Sequence, residues 1–149
     1  MRKIFAILIL AGSFLGQNSW AQDCNQVIEG NDLLQFNLSE ITVSSSCEEV
    51  TITLKHVGAL PANVMGHNWV LTKTTDYMPV ASAGQAFGPP GYLDTSDERI
   101  IGATPGMIGG GEEASITFNL TSLEVGGDYT FFCSFPGHYV LMNGKFIIQ

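Results

Sequence analysis

Cys133, His138 and Met142 fall within ten residues, in the run Cys133-Ser-Phe-Pro-Gly-His138-Tyr-Val-Leu-Met142, while His67 stands far upstream in a chain with only three histidines. A thiolate and two imidazoles suit copper in a near-trigonal plane, and a thioether supplies the long, weak axial contact that helps to set a redox potential. Each residue alone has a plainer role. A free cysteine is commonly a small buried hydrophobe, a methionine fills gaps in a core, and a histidine beside Trp69 can be a satisfied core residue. Together, on one loop with a distant imidazole, they predict a mononuclear copper centre built for one-electron transfer.

Such a centre needs a scaffold that holds its ligands nearly still. By the period of two in a strand, Tyr129, Phe131 and Cys133 share one side, so Cys133 ends a strand with its sulfur aimed inward. Pro136-Gly137 then turns the chain to bring His138 back, and Met142 arrives just before Asn143-Gly144 opens the last strand. His67, beside Trp69 and Val70, comes from the start of an earlier strand.

The same alternation recurs along the chain. Val50, Ile52, Leu54 and His56 share one face of a strand over 50–57, and Thr51, Thr53, Lys55 and Val57 share the other. Further strands are expected at 26–29, 33–37, 41–43, 68–72, 114–120, 129–133 and 144–148. Turn chemistry at Gly30-Asn31-Asp32, Gly126-Gly127-Asp128 and Asn143-Gly144 separates them. About eight strands at this spacing predict an all-β fold, an antiparallel Greek-key β-sandwich. The connection over 73–105 carries Pro79, Pro89, Pro90 and Pro105 and breaks the pattern, with a short helix expected near 76–87.

The 149 residues suffice for one domain with a proper core. Residues 1–21 stand apart: Arg2 and Lys3 precede an apolar run over 4–15, and Ser19-Trp20-Ala21 offers a cleavage site, as in an export signal peptide. The mature domain is expected at 22–149. The apolar run is too short to cross a bilayer, so no membrane insertion is expected. Asp23 before Cys24 argues against lipid anchoring. Loss of Arg2 and Lys3 takes the formal charge from −8 to −10, with four basic residues against 14 acidic ones. That balance disfavours nucleic acid as a partner and suits a dispersed protein with basic partners.

An oxidising compartment lets cysteines pair, and three leave one over. Cys24 and Cys47, in Asn- and Ser-rich surroundings with no histidine nearby, are expected to form the disulfide, stabilising the fold by roughly 3 kcal/mol. Cys133 is then free, and metal ligation explains its retention. His56 lies on the apolar face of its strand and reads as a buried or half-buried histidine, not a ligand.

Other motifs fail on inspection. The glycines over 106–111 lack the Lys-Ser/Thr ending of a phosphate loop and lead into a strand. The sequons at Asn37 and Asn119 are accidental in a chain with a bacterial-looking signal. Cys133 and His138 as a nucleophile pair lack an orienting residue, so the chain is not expected to be an enzyme.

The segments Asn63-Val-Met-Gly66-His67-Asn68-Trp69-Val70-Leu71 and Phe131-Phe-Cys133-Ser-Phe-Pro-Gly-His138 through Leu141-Met142 resemble the two ligand segments of the azurin family of cupredoxins. The likeness covers nearly all of 22–149, and the spacing around His138 is similar to azurins rather than to plastocyanin-like or amicyanin-like proteins. The resemblance implies a cupredoxin-like sandwich. His67, Cys133 and His138 would form the equatorial plane of one copper, with Met142 axial and the Gly66 carbonyl a second weak contact. Asn68 and the Phe135 N–H would donate hydrogen bonds near the Cys133 sulfur. Leu33, Leu34, Met65, Phe135 and Leu141 would form an apolar collar around the His138 edge. His56 would be the family's non-ligand titrating histidine. Asn143 stands where a lysine is common.

The expected function is therefore that of a periplasmic, monomeric blue-copper shuttle passing single electrons. Its partners by resemblance are c-type cytochromes, a copper nitrite reductase or a periplasmic dehydrogenase. A copper storage or delivery protein is the rival, but that role favours accessible Met-rich or Cys-x-x-Cys sites, and neither occurs. A multicopper enzyme needs more histidines than three. Zinc could occupy the same ligands.

Overall fold

In the computed structural model, which describes residues 24–149, the alternating stretches become strands of two sheets. The strand Glu49–His56 (β3) shows the cause most plainly: Val50, Ile52, Leu54 and His56 are buried, while Glu49 and Lys55 reach solvent. It lies between Asn25–Gly30 (β1) and Glu113–Asn119 (β6), giving a three-stranded sheet in the order β1-β3-β6. The second sheet holds Glu40–Val43 (β2), Val70–Lys73 (β4), Ile100–Ala103 (β5), Tyr129–Phe132 (β7) and Asn143–Ile148 (β8), in the order β2-β8-β7-β4-β5.

The inner faces of both sheets meet in one cluster that contains Ile28, Ile41, Val50, Ile52, Leu54, Trp69, Phe118, Phe131 and Phe146. Trp69 is its hub, with ring centroids 6.0 Å from Phe118 and 6.1 Å from Phe131. Fully burying an aliphatic or aromatic side chain of this size contributes about 1.5–3 kcal/mol, so this cluster is the main source of rigidity. All four residues of β7 are buried, because it is covered on both faces. Phe131 joins the core, and Phe132 packs with Val80 and Ala81 of the helix Thr74–Phe87 (α2), which follows the single-turn helix Ala62–Met65 (α1). A β-sandwich of eight strands with one main helix is thus present, as the alternation predicts.

Four details differ from the sequence-based expectation. First, 33–37 is no strand: the Asn31 side chain accepts the Leu33 N–H at 2.9 Å, Leu34 takes a φ of 60°, and only Phe36 bridges back to Gly30. The Asn-Asp turn chemistry there overrides the apolar residues. Second, β5 lies inside the Pro- and Gly-rich connection, where it gains its hydrogen bonds by pairing antiparallel with β4. Third, the helix in that connection runs 14 residues, and Pro79 is accommodated within it. Fourth, the sheets are mixed, because β1 pairs with β3 and β2 with β8 in parallel.

Cys24 and Cys47 form the expected disulfide, with Cα atoms 5.8 Å apart, tying the start of β1 to the loop before β3. The expected signal peptide, 1–21, lies outside the described residues. Among the described residues no helix is long and apolar enough to cross a membrane.

Candidate metal centre

The antiparallel register of β4 and β7 sets Val70 opposite Phe132, so the residues just before Val70 lie beside those just after Phe132. This places His67 next to Cys133 although they are far apart in sequence. Reciprocal bonds lock the two segments: Ser134 N–H donates to Asn68 Oδ1 and Asn68 Nδ2 donates to Ser134 Oγ, both at 2.8 Å. His67 is fixed on its other side by a two-bond bridge to Ile108.

The loop after β7 closes on itself. Gly137 adopts a φ of 79°, the left-handed region that lets the chain enter the 3₁₀ turn His138–Val140. His138 N–H donates to Phe135 O at 2.9 Å, Met142 N–H donates to His138 O at 2.7 Å, and Cys133 N–H donates to Met142 O at 3.0 Å. Asn143 Nδ2 holds the same turn through Tyr139 O at 3.0 Å. Cys133, His138 and Met142 are thereby fixed by backbone bonds before any ion is considered.

At the centre, Cys133 Sγ lies 3.9 Å from His67 Nδ1 and 3.7 Å from His138 Nδ1. The ligand-type atoms of the three residues all fall within 4.8 Å of one another. All three are buried, as is Met142. The Gly66 carbonyl oxygen is 3.8 Å from the same sulfur. His67 Nε2 donates to Asn31 O at 2.9 Å, which fixes the tautomer and leaves the Nδ1 lone pair facing the sulfur. Room for that ring is reserved by Gly30, where a Cβ would fall 2.7 Å from His67 Cδ2.

Burial sets the protonation of the cluster. It pushes the Cys133 thiol up to about 11, against the opposing pull of the Asn68 and Phe135 backbone N–H groups. It holds His138 down at about 4, with the neighbouring imidazoles acting in the same direction. It also lowers His67 from its ordinary value, in spite of the bond to Asn31. Near neutral pH the site is two neutral imidazoles and a thiol with one displaceable proton. This donor set fits copper: soft sulfur and imidazole nitrogen converge in a dry, preformed cage.

His56 is buried but stands behind the site, stacked on His67 with ring centroids 4.4 Å apart. Its Nε2 donates to Met65 O at 2.8 Å and its Nδ1 accepts from Gly58 N–H at 3.0 Å, so both nitrogens are engaged away from the cluster.

The residues expected to form an apolar collar separate by exposure. Leu33 and Leu141 are 73% and 67% exposed, whereas Leu34, Met65 and Phe135 are half-buried. Val64 and Val140 add exposed apolar surface in the same two ligand segments, and sequence reasoning missed both. It also missed the Asn31 carbonyl, which no side-chain signal could reveal, and Ser134, whose place beside Cys133 could have suggested a role. Gln85 of α2 is a further tether, donating to Ser134 O at 3.1 Å.

Comparison with known proteins agrees with this geometry. Residues 22–149 match the model of copper binding proteins of the plastocyanin/azurin family. The chain is 44% identical to azurin of Pseudomonas aeruginosa over 150 residues, covering 100% of this chain and 99% of that protein. It is 51% identical to azurin of Bordetella pertussis over 125 residues, 83% of each, and 50% identical to azurin-1 of Alcaligenes xylosoxydans xylosoxydans, over 82% of this chain and 95% of that one. With a matching family model, close relatives along its whole length and a buried His-Cys-His cluster, the chain belongs to the plastocyanin/azurin family, as a blue-copper electron-transfer protein.

Proposed function

We propose that His67, Cys133 and His138 hold the copper, with Met142 and the Gly66 carbonyl as the weaker contacts, and that electrons pass through the edge of His138. The ion supplies the one-electron couple, cycling between Cu(II) and Cu(I). The chain's own residues do the rest. They exclude water, hold the two Nδ1 lone pairs towards the sulfur, and soften the thiolate charge with the N–H groups of Asn68 and Phe135. Because these atoms are fixed by the sheet register and by backbone bonds, little reorganisation opposes the electron's movement. The observation that carries this reading is the convergence of His67 Nδ1 and His138 Nδ1 on one buried sulfur.

The rim supports the choice of exit. Exposed Val64, Val140 and Leu141 come from the segments around His67 and His138, and no charged side chain occurs in 57–66 or 134–143, while exposed Leu33 comes from the turn after β1. A small apolar contact of this kind favours brief encounters, as a carrier needs. We place the carrier in the periplasm after removal of 1–21, with c-type cytochromes as partners, and a copper nitrite reductase or a periplasmic dehydrogenase as further ones. The role asks for no bond chemistry, and full burial of the donor set suits an ion that is retained rather than delivered.

The test is rapid mixing of the copper protein with a reduced c-type cytochrome. Leu141→Glu should slow the reaction at least tenfold while leaving the visible spectrum unchanged. An unchanged rate would show that electrons leave elsewhere.

A further inference from the structure

We propose that Asp32 is a fixed anion that tunes the copper potential: its carboxylate, clamped by two backbone N–H groups, faces the His56–His67 stack and favours the oxidised ion. This rests on the reading that His67 holds the copper.

Asp32 sits in the turn after β1, next to Asn31, whose carbonyl orients His67. Its Oδ2 accepts the Ala59 N–H at 2.8 Å and its Oδ1 accepts the Leu60 N–H at 3.3 Å, so the side chain joins the turn after β1 to the turn after β3. Gly58 makes that approach possible, since a Cβ there would fall 2.2 Å from Asp32 Oδ1. The same Oδ1 lies 3.8 Å from His56 Nε2, and the His56 ring stacks on His67 with an interplanar angle of 21°. The carboxylate is therefore one ring removed from a copper-holding residue.

Three features make it an effective charge. The side chain is 29% exposed, so solvent screens it only in part. Among the described residues, no lysine or arginine pairs with it: Lys55 goes to Glu113 and Arg99 to Asp97. The two N–H bonds favour the ionised form, so it is charged at neutral pH. The His56 ring nitrogens are engaged elsewhere, Nε2 with the Met65 carbonyl and Nδ1 with the Gly58 N–H, at 2.8 and 3.0 Å against 3.8 Å to the Asp32 carboxylate. A fixed negative charge attracts Cu(II) with its thiolate, net +1, more than Cu(I) with its thiolate, net zero. At an effective dielectric constant of about 20–40, Coulomb attraction across the ring stack corresponds to roughly a five- to twentyfold bias in the Cu(I)/Cu(II) ratio.

The experiment titrates the copper protein and two variants spectroelectrochemically at pH 7, and also records EPR spectra and urea unfolding midpoints. Asp32→Asn keeps an acceptor for the Ala59 N–H and removes the charge. At the ambient potential where the parent is half reduced, its Cu(I)/Cu(II) ratio should rise roughly five- to twentyfold, with colour and copper hyperfine splitting unchanged and the midpoint near that of the parent. Asp32→Ala should show a comparable rise and a lower midpoint, because the clamp is lost too. A ratio unchanged in Asp32→Asn overturns the proposal, and a rise confined to Asp32→Ala does so as well, since that marks a clamp alone. Should the parent itself fail to turn blue with Cu(II), the assignment of the ligands falls first, and that outcome is read before any variant is compared.

Discussion

Loading the metal-free protein with Cu(II) at pH 7.5 should release one proton, and the number follows from the burial of three side chains. The Cys133 thiol, pushed up to about 11, is protonated almost completely at this pH. His138, held at about 4, is charged in well under about 1% of molecules, and His67 is likewise neutral because burial lowers it. A metal that binds thiolate and neutral imidazole therefore displaces the thiol proton and no other. Calorimetric titration in buffers of different ionisation enthalpy measures this directly, as the slope of apparent binding enthalpy against buffer enthalpy. The expected slope is one proton per copper, with affinity rising about tenfold per pH unit between about pH 6.5 and 9. Below about pH 4 the release should approach two, as His138 joins. A release near zero at pH 7.5 would mean that the sulfur is already a thiolate before metal arrives. A release near two would mean that an imidazole is charged, and either result refutes the account of the preformed site.

The same groups give the metal-free fold a stability plateau. His138 falls from an ordinary 6.5 to about 4, so the unfolded chain binds more protons in that interval and urea midpoints should drop as pH falls from about 6.5 to 4. Cys133 rises from 9.0 to about 11, so the folded chain holds the proton longer and midpoints should drop again as pH rises from about 9 to 11; a curve without either shoulder contradicts the assignments. Gly30→Ala puts a methyl 2.7 Å from the His67 ring, which is packed on all sides, and should weaken copper binding at least tenfold by competition with a chelator; unchanged affinity would show that the ring can shift freely.

What could be read from the chain alone follows from what is local. Cys133 and His138 are close in sequence and separated by a Pro-Gly turn, so their convergence is written in spacing. His67 lies just before a strand in a chain with only three histidines, and the register of β4 on β7 delivers it to Cys133. Alternation identified the buried face of β3, His56 included, because burial on one face repeats every second residue. It could not show that β1 and β2 run parallel to their neighbours, since a strand's pattern records which face is buried and not which strand lies beside it. The expected strand at 33–37 lost to side-chain bonding by Asn31, and β5 was hidden among glycines and prolines because its order comes from β4. The Asn31 carbonyl and the Asp32 clamp are contacts between distant turns, invisible to any local rule.

The visible and EPR spectra of the protein with one equivalent of Cu(II) give the most direct test. A buried thiolate and two imidazoles around one ion predict strong thiolate-to-copper absorption with narrow copper hyperfine splitting, lost in Cys133→Ser. A pale protein with wide splitting, or colour that survives Cys133→Ser, would contradict it.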